Sequence, residues 1–120
     1  MSKKFKVIIA GGRDFNNLSL MKMVCNKMLS KKDNNVEIVS GTANGADKMG
    51  EAYAYSRGFT VKRFPADWDG LGKRAGAVRN AEMAEYCDAA IIFWDGASKG
   101  TKNMIDNMKK IGKPHIVKKY

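Results

Sequence analysis

The sequence predicts a doubly wound α/β fold, a Rossmann-like single domain with a parallel five-stranded sheet, and three observations support this prediction. Short apolar or β-branched runs alternate with helical patterns in units of about 25 to 30 residues, as expected of right-handed strand–helix–strand crossovers. The run Ala89–Trp94 is the most apolar in the chain and is typical of a central strand buried on both faces. No linker, repeat or low-complexity segment interrupts residues 1–120, so we expect one domain.

The predicted elements follow from the spacing of the apolar residues and from the turn residues between them. Strands are predicted over residues 5–10, 36–40, 59–64, 89–94 and 115–118. The first helix carries the apolar stripe Leu18, Met21, Val24, Cys25, Met28 and Leu29, with Asn17 as its candidate N-cap. Later helices are predicted over residues 45–57 and 77–86, and a last one follows the loop 95–101 and stops at Gly112. Residues 66–76 form the longest irregular segment.

Parallel strands place every loop that follows a strand at one edge of the sheet, where open α/β sheets bind their ligands. The residues of unusual chemistry fall on these loops, which cover residues 11–14, 40–47, 66–76 and 95–101. The opposite connections, over residues 31–35, 57–58 and 111–113, look like plain turns. This asymmetry predicts a binding edge.

Two glycine-rich loops at that edge are candidates for phosphate contact, because each combines open backbone N–H groups with the positive end of a helix. The candidate residues are Gly41, Thr42, Ala43, Gly45 and Asp47 in the first loop and Gly96, Ser98, Gly100 and Thr101 in the second. The second loop is not a Walker loop, since it lacks the Gly-Lys-Ser/Thr ending and Lys99 precedes the glycine. The alternative is structural. In that interpretation the glycines allow close packing of the turns, Thr101 is only an N-cap, and Asp47 interacts favourably with the positive end of the helix dipole.

Further candidates at the edge are charged or aromatic. Arg79, expected to open a helix beside Asn80, suits a phosphate or carboxylate partner, and the alternative is a surface arginine paired with Asp67 or Asp69. Gly11, Gly12, Arg13 and Asp14 follow the first strand, where Arg13 could contact the ligand and Asp14 could bind a ribose hydroxyl or fix the loop. Trp68 either stacks on a base or closes its loop against the body of the domain.

Composition excludes several classes of protein. The net charge of +10 favours nucleotides or nucleic acid as partners, although the scattered lysines equally suit a solvated surface. His115 is the only histidine, and Cys25 and Cys87 lack metal-ligand spacing, so neither a metal nor a cofactor is expected. No apolar run is long enough for a membrane span and the start of the chain lacks a signal-peptide core, so we expect a cytoplasmic protein.

Five motifs in chain order resemble those of the YspA-type branch of the SLOG superfamily, a Rossmann-like group. They lie at residues 10–15, 40–47, 64–68, 75–80 with Met83, and 96–101. The second motif is also similar to the Ser-Gly-x-Ala-x-Gly-x-Asp loop of the DNA-processing DprA proteins. The resemblance implies a domain over residues 1–120 that binds a nucleotide or nucleotide-derived molecule at the glycine edge, and, because the LOG relatives are dimers, a homo-oligomer.

The same resemblance raises two alternatives. LOG phosphoribohydrolases cut the N-glycosidic bond of nucleoside monophosphates, with an Arg-Lys-x-x-Met helix start and a Pro-Gly-Gly-x-Gly-Thr-x-x-Glu loop. Arg79, Met83, Gly100 and Thr101 fit these patterns, but the carboxylate position is Met104, so a hydrolase would need Asp14, Asp67 or Asp95 instead. The DprA likeness and the positive charge suggest nucleic-acid binding as the second alternative.

Overall fold

The computed structural model describes residues 4–30 and 35–120. Its five strands are β1 (Phe5–Gly11), β2 (Val36–Ser40), β3 (Thr60–Arg63), β4 (Ala89–Trp94) and β5 (His115–Lys119). Its helices are α1 (Leu18–Leu29), α2 (Ala46–Arg57), α3 (Trp68–Leu71), α4 (Ala75–Tyr86) and α5 (Lys99–Ile111), with a 3-10 turn at Gly72–Arg74 between α3 and α4. Most of the turn predicted over residues 31–35 lies outside the described residues.

The strands form one fully parallel sheet in the order β3-β2-β1-β4-β5. The chain moves outward from the central β1 through β2 to β3, then returns to the other side of β1 to add β4 and β5. The loops after β1 and β4 therefore diverge at the carboxyl edge, which opens a crevice between them. The predicted doubly wound Rossmann-like fold is confirmed.

Alternate residues of the central strands feed two hydrophobic layers, because successive side chains of a strand point to opposite faces. Val7 and Ile9 of β1 belong to the layer that packs under α1 and α2. Ile8 and Ala10 belong to the layer under α4 and α5. The sheet is thus covered by helices on both faces.

The observed boundaries agree closely with the predicted ones except around α4. Asn17 caps α1 as predicted, accepting a hydrogen bond from the N–H of Leu20. The segment predicted as irregular is mostly helical, because Asp67 accepts from the N–H of Gly70 and so caps the short helix α3. The following helix consequently begins at Ala75 rather than at residue 77. Arg79 therefore lies in the second turn of α4, and its prediction as a helix-opening residue was wrong.

Both cysteines are free and buried. Cys25 faces the layer under α1 and α2, and burial raises its pKa to about 12. Cys87 belongs to the opposite layer, and burial raises its pKa as well. A thiol with a raised pKa is a poor nucleophile, so burial disfavours a reactive role for either cysteine.

Phe15 anchors the loop that follows β1. Its side chain is 2% exposed and stacks on Phe93 of β4 with ring centroids 4.6 Å apart. The ring of Tyr120 meets the ring of Phe15 edge-on, with centroids 4.9 Å apart. The loop at the centre of the carboxyl edge is thereby held by the core of the domain rather than by surface contacts.

We expect Phe15→Ala to lower the free energy of unfolding by about 3 to 5 kcal/mol, because it removes a buried ring and leaves a cavity against β4. Leu18→Ala, at a side chain that is 43% exposed, is the control and should change stability by less than about 1 kcal/mol. Urea unfolding of both variants measures the difference. Similar losses in both variants would contradict the anchoring role.

Candidate functional site

A cavity of about 610 Å³ lies at the carboxyl edge, between the diverging loops after β1 and β4. Its volume is within the usual range for small-molecule sites, about 300 to 1,000 Å³. A second cavity of about 210 Å³ adjoins it beside the β2–α2 loop. The two cavities share the lining residues Arg13, Ala43, Trp68 and Arg79.

Most residues predicted for the site line one of these cavities. The larger one is lined by Gly11, Gly12, Arg13, Asp14, Ala43, Asp47, Trp68, Arg79, Asn80, Ser98, Gly100 and Thr101. Gly41 and Thr42 line the smaller one. Gly45 and Gly96 line neither, and both have positive φ, 76° and 89°. A side chain at Gly45 would also lie 2.3 Å from the carbonyl oxygen of Gly12, so this glycine serves a close backbone approach.

The N-terminus of α5 opens onto the larger cavity. Ser98 is its N-cap and accepts a hydrogen bond from the N–H of Thr101, so the interpretation of Thr101 as the cap was wrong. Asp95 accepts from the N–H groups of Ala97 and Ser98, each at 2.8 Å, and these bonds lower its pKa. Within the described part of the chain, the N–H groups of Lys99 and Gly100 have no hydrogen-bond partner.

Arg79 reaches across the site to the β2–α2 loop. Its Nη1 donates to the carbonyl oxygen of Gly41, and its Nε donates to Oδ1 of Asn80 at 3.1 Å. Burial lowers its pKa, while the nearby carboxylate of Asp47 opposes that shift. The described residues show no ion pair of Arg79 with Asp67 or Asp69, so the surface salt bridge considered from the sequence is not formed.

Asn80 joins α4 to α5. Its side-chain amide is buried and donates to the carbonyl oxygen of Gly100 at 3.2 Å and to Oδ1 of Asn103 at 3.0 Å. Because its Oδ1 accepts from Arg79, one amide sets the distance between the arginine and the start of α5. The cationic group and the open helix terminus are thereby fixed relative to each other.

Asp47 is a buried carboxyl in the wall of the larger cavity. Its side chain is bonded to the N–H of Ala43 at 3.2 Å, and the residue is 6% exposed. Burial raises its pKa to about 6, against the lowering effects of the Ala43 N–H and of Arg79. A carboxyl in this position changes its charge near neutral pH, which the helix-dipole interpretation of Asp47 did not anticipate.

Asp14 and Trp68 occupy the outer part of the site. Oδ1 of Asp14 accepts a hydrogen bond from the hydroxyl of Tyr120 at 2.7 Å, so the carboxylate is oriented by the residue that follows β5. Trp68 begins α3, is 52% exposed, and lies 3.5 Å from the position that a Cβ of Gly76 would occupy. Its indole therefore both packs on the start of α4 and leaves a face open beside the cavities.

The carboxylate position of the LOG pattern is filled by core packing. Met104 is 2% exposed and belongs to the layer under α4 and α5, where its side chain forms part of the cavity floor. Of the carboxylates proposed instead, Asp14 and Asp95 line the cavity and Asp67 caps α3 away from it. No cluster of potential metal ligands occurs in residues 4–30 and 35–120.

Several lining residues were not predicted, chiefly Lys73, Gly76, Ala77, Lys99 and Asn103. Lys73 and Gly76 lie in the segment that was taken as irregular, where no helical spacing indicated which side chains face the cavity. Asn103 precedes Met104, and its Oδ1 accepts hydrogen bonds from Asn80 and Asn107, contacts that no spacing in the sequence indicates.

The described ranges contain no helix of the length and apolar character needed to cross a membrane.

We compare the free energy of unfolding of the wild type with that of Asp47→Asn at each pH. As pH rises from about 4 to 6, we expect the wild type to lose stability relative to the variant. The folded state keeps a proton on Asp47 up to a pKa of about 6, whereas the unfolded chain releases it near its ordinary value, so the folded state holds more protons in this window. The stability difference should reach at most about 3 kcal/mol above pH 6. Urea titrations measure it, with Asp106→Asn as an exposed control, and a pH-independent difference would contradict the assignment.

Comparisons with known proteins place these features in a family. The profile of the YspA, cpYpsA-related SLOG family matches residues 5–70. The Gene 61 protein of Mycobacterium phage D29 is 31% identical over 117 residues, a match that covers 92% of this chain and 94% of that protein.

The structure is similar to that of DNA processing protein A (DprA) from Streptococcus pneumoniae, with a TM-score of 0.74 and 16% sequence identity. This match covers 96% of the chain, which spans only half the length of DprA, and at this identity it shows a shared fold. With its glycine-rich carboxyl edge and the family match over more than half of its length, the chain belongs to the YspA, cpYpsA-related SLOG family.

Proposed function

We propose that this protein binds a phosphate-bearing nucleotide or nucleotide-derived molecule in the larger cavity. The observation that carries the proposal is the start of α5, where the N–H groups of Lys99 and Gly100 have no partner in the described chain and adjoin a cavity of about 610 Å³. Unpaired N–H groups at a helix N-terminus bind anions by hydrogen bonds and by the helix dipole together.

Charge and space favour phosphate as the anion. The cationic lining residues Arg13, Lys73, Arg79 and Lys99 outnumber the acidic ones, Asp14, Asp47 and Asp95. A Cβ at Gly100 would meet no other atom within 4 Å, so the backbone at this point is open to a bulky group. Phosphate requires donors without steric cover, and both conditions are met at the start of α5.

The remainder of the cavity suits a nucleoside. The exposed face of Trp68 offers a surface for a base, since stacking on an aromatic ring accepts any base. The carboxylate of Asp14, oriented by Tyr120, is an acceptor for ribose hydroxyls. We further propose that the 120 residues act as one ligand-binding domain of a cytoplasmic protein. A homo-oligomer is proposed only from the resemblance to the dimeric LOG proteins.

Binding is favoured over N-glycoside hydrolysis because the carboxylate of the LOG pattern is replaced by the buried Met104. Asp95 accepts hydrogen bonds from two N–H groups of its own loop, and Asp14 accepts one from the hydroxyl of Tyr120. A hydrolase would need one of these groups to leave its partner or to act while bonded. We therefore assign the cavity a binding role, with hydrolysis as an outcome that the binding experiments below would detect.

Nucleic-acid binding is the second candidate, and one observation favours it. Trp68 is half exposed at the mouth of the cavity, and the exposed Lys73 and Arg74 follow it in the chain. An aromatic side chain beside cations is typical of single-strand binding surfaces. The net charge of +10 supports the same alternative.

A panel of nucleosides and their 5′-phosphates should separate the contribution of the phosphate. We expect thermal stabilisation by the phosphates alone, with a gain of about 2.7 kcal/mol at a ligand concentration of 100 times the dissociation constant. Differential scanning fluorimetry measures the shift, and chromatography of the same mixtures detects any released base. Equal shifts from a nucleoside and its phosphate would contradict the role of α5.

The same panel, extended to single-stranded oligonucleotides, distinguishes the two candidates. An oligonucleotide that neutralises several cations should lose affinity steeply with salt, with a log–log slope of about −0.7 per phosphate contact. A mononucleotide in a preformed cavity should depend on salt much less. Far tighter binding of oligonucleotides at physiological salt would favour the nucleic-acid function.

Gly100→Ala should separate folding from binding. Without ligand we expect the free energy of unfolding to rise by up to about 1 kcal/mol, because alanine is the better helix former and meets no neighbouring atom. Affinity for the nucleoside monophosphate should fall about tenfold or more, since the added methyl group crowds the space beside the open N–H groups. Calorimetric titration gives the affinity.

Lys110→Ala is the matched control, because Lys110 is exposed in the last turn of the same helix and does not line the cavity. It should leave nucleotide affinity unchanged. An unaltered affinity in Gly100→Ala would contradict the proposal that the phosphate binds at the start of α5.

A further inference from the structure

Thr42 has an unusual backbone conformation beside the smaller cavity. Its φ is 67°, and it is the only non-glycine residue with a positive φ among the residues the structure describes. A β-branched residue in this region is a genuine outlier, because its Cβ crowds the backbone. Such conformations persist only when surrounding contacts impose them, and they concentrate at ligand sites.

Ser40 supplies that contact. Its hydroxyl accepts a hydrogen bond from the N–H of Thr42 at 3.1 Å and donates to Oε2 of Glu51 at 2.6 Å. Ser40 is fully buried at the end of β2, and Glu51 of α2 is 5% exposed. Because the carboxylate takes the hydroxyl proton, the serine oxygen is left oriented as an acceptor for the strained residue.

Glu51 is kept ionised in this buried position by Arg63. The Nε of Arg63 donates to Oε1 of Glu51 at 3.1 Å, and its Nη2 lies 3.0 Å from the same oxygen. The Nη2 also donates to the hydroxyl of Tyr55 at 2.6 Å. The bonds from Ser40 and Arg63 outweigh the opposing effect of burial, so the pKa of Glu51 is lowered. The carboxylate is therefore charged at neutral pH and remains a strong acceptor.

The strained residue sets the geometry of the whole β2–α2 loop. The carbonyl group just before it, on Gly41, accepts the hydrogen bond from Arg79. The N–H just after it, on Ala43, donates to Asp47. A change of backbone conformation at Thr42 would therefore displace the partners of Arg79 and Asp47, which both line the larger cavity.

We infer that Glu51, acting through Ser40, is a positioning residue that holds Thr42 and its neighbours in the conformation needed for ligand binding. Glu51 lines neither cavity, so it acts on the ligand only indirectly, through Ser40 and Thr42. This inference rests on the proposed nucleotide-binding function, and the experiment below separates the two.

A double-mutant cycle tests the inference with adenosine 5′-monophosphate as the probe. Ser40→Ala should weaken its binding about tenfold, the scale of one hydrogen bond to a charge-polarised group. Thr42→Gly accepts a positive φ without steric cost, so it no longer needs the serine. The double variant Ser40→Ala/Thr42→Gly should therefore bind within about threefold of Thr42→Gly alone, because the two effects are coupled.

Two further variants guard against a general folding defect. Glu51→Gln keeps the shape of the side chain but weakens the acceptor, and should lose affinity in the same direction as Ser40→Ala. Ser56→Ala is the matched control, since the Ser56 hydroxyl donates to the carbonyl oxygen of Tyr53 on the same helix and has no other partner among the described residues. It should bind the probe as the wild type does.

Amide hydrogen exchange of Thr42 in the absence of ligand supplies a readout that does not depend on binding. Its N–H should exchange about ten times faster in Ser40→Ala and in Glu51→Gln than in the wild type or Ser56→Ala. Unchanged affinity in Ser40→Ala, or a loss that Thr42→Gly fails to relieve, would overturn the inference. If the wild type binds neither this probe nor any other nucleoside phosphate of the panel, the proposed function fails, and unchanged exchange at Thr42 would then overturn the positioning role independently.

Discussion

The carbonyl oxygen of Gly12 is the point on which the carboxyl edge depends. It accepts hydrogen bonds from the N–H groups of Phe15 and Ala46, each at 3.2 Å, and so joins the end of β1 to the start of α2. This contact requires α2 to approach the β1 loop so closely that Gly45 tolerates no side chain. The β2–α2 loop, which leads into α2, carries the Gly41 carbonyl that accepts from Arg79 and the Ala43 N–H that donates to Asp47.

Asp47 is buried and Arg79 is half-buried in the site, and hydrogen bonds to the backbone partly compensate their charges. Arg79 and Asp47 lie in the same buried region without forming an ion pair within the described residues, and each is satisfied mainly by the backbone of the β2–α2 loop. A guanidinium that already donates to a carbonyl retains other N–H groups for a ligand. An incoming phosphate would meet a cation already held in place, so little ordering would be needed on binding.

The fold and the edge on which the site lies could be predicted from the sequence, but the network within the site could not. Local runs of apolar residues indicate Ala89–Trp94 and the other strands. Their alternation with helical patterns is enough to predict a parallel sheet. The bond from Arg79 to Gly41 joins residues 38 positions apart, and no local pattern encodes it. The start of α4 was misplaced because the capping residue Asp67 belongs to a helix of only four residues.

The roles of individual residues were harder to predict than their positions, because roles depend on contacts that local sequence patterns do not encode. Thr101 and Ser98 are both good capping residues three positions apart, and the helix could have begun after either. The N–H groups of Ala97 and Ser98 both donate to Oδ1 of Asp95, which turns the chain so that α5 begins after Ser98. The family profile ends at residue 70, so α4 and α5, which supply Arg79 and the open N–H groups, lie beyond the matched segment.

The central position of β1 has a consequence for how the chain folds. Its two partners are β2, about 30 residues later in the register, and β4, which follows more than 80 residues after β1 (Phe5 pairs with Val36, and Val7 with Ala89). During synthesis, β1, β2 and β3 can associate while one backbone edge of β1 still has no partner. That edge is apolar and extended, which makes it prone to pairing with another nascent chain until β4 emerges. Pairing of β4 with β1 therefore protects that edge, and it also places the loop after β4, whose Asp95 and Ser98 line the larger cavity.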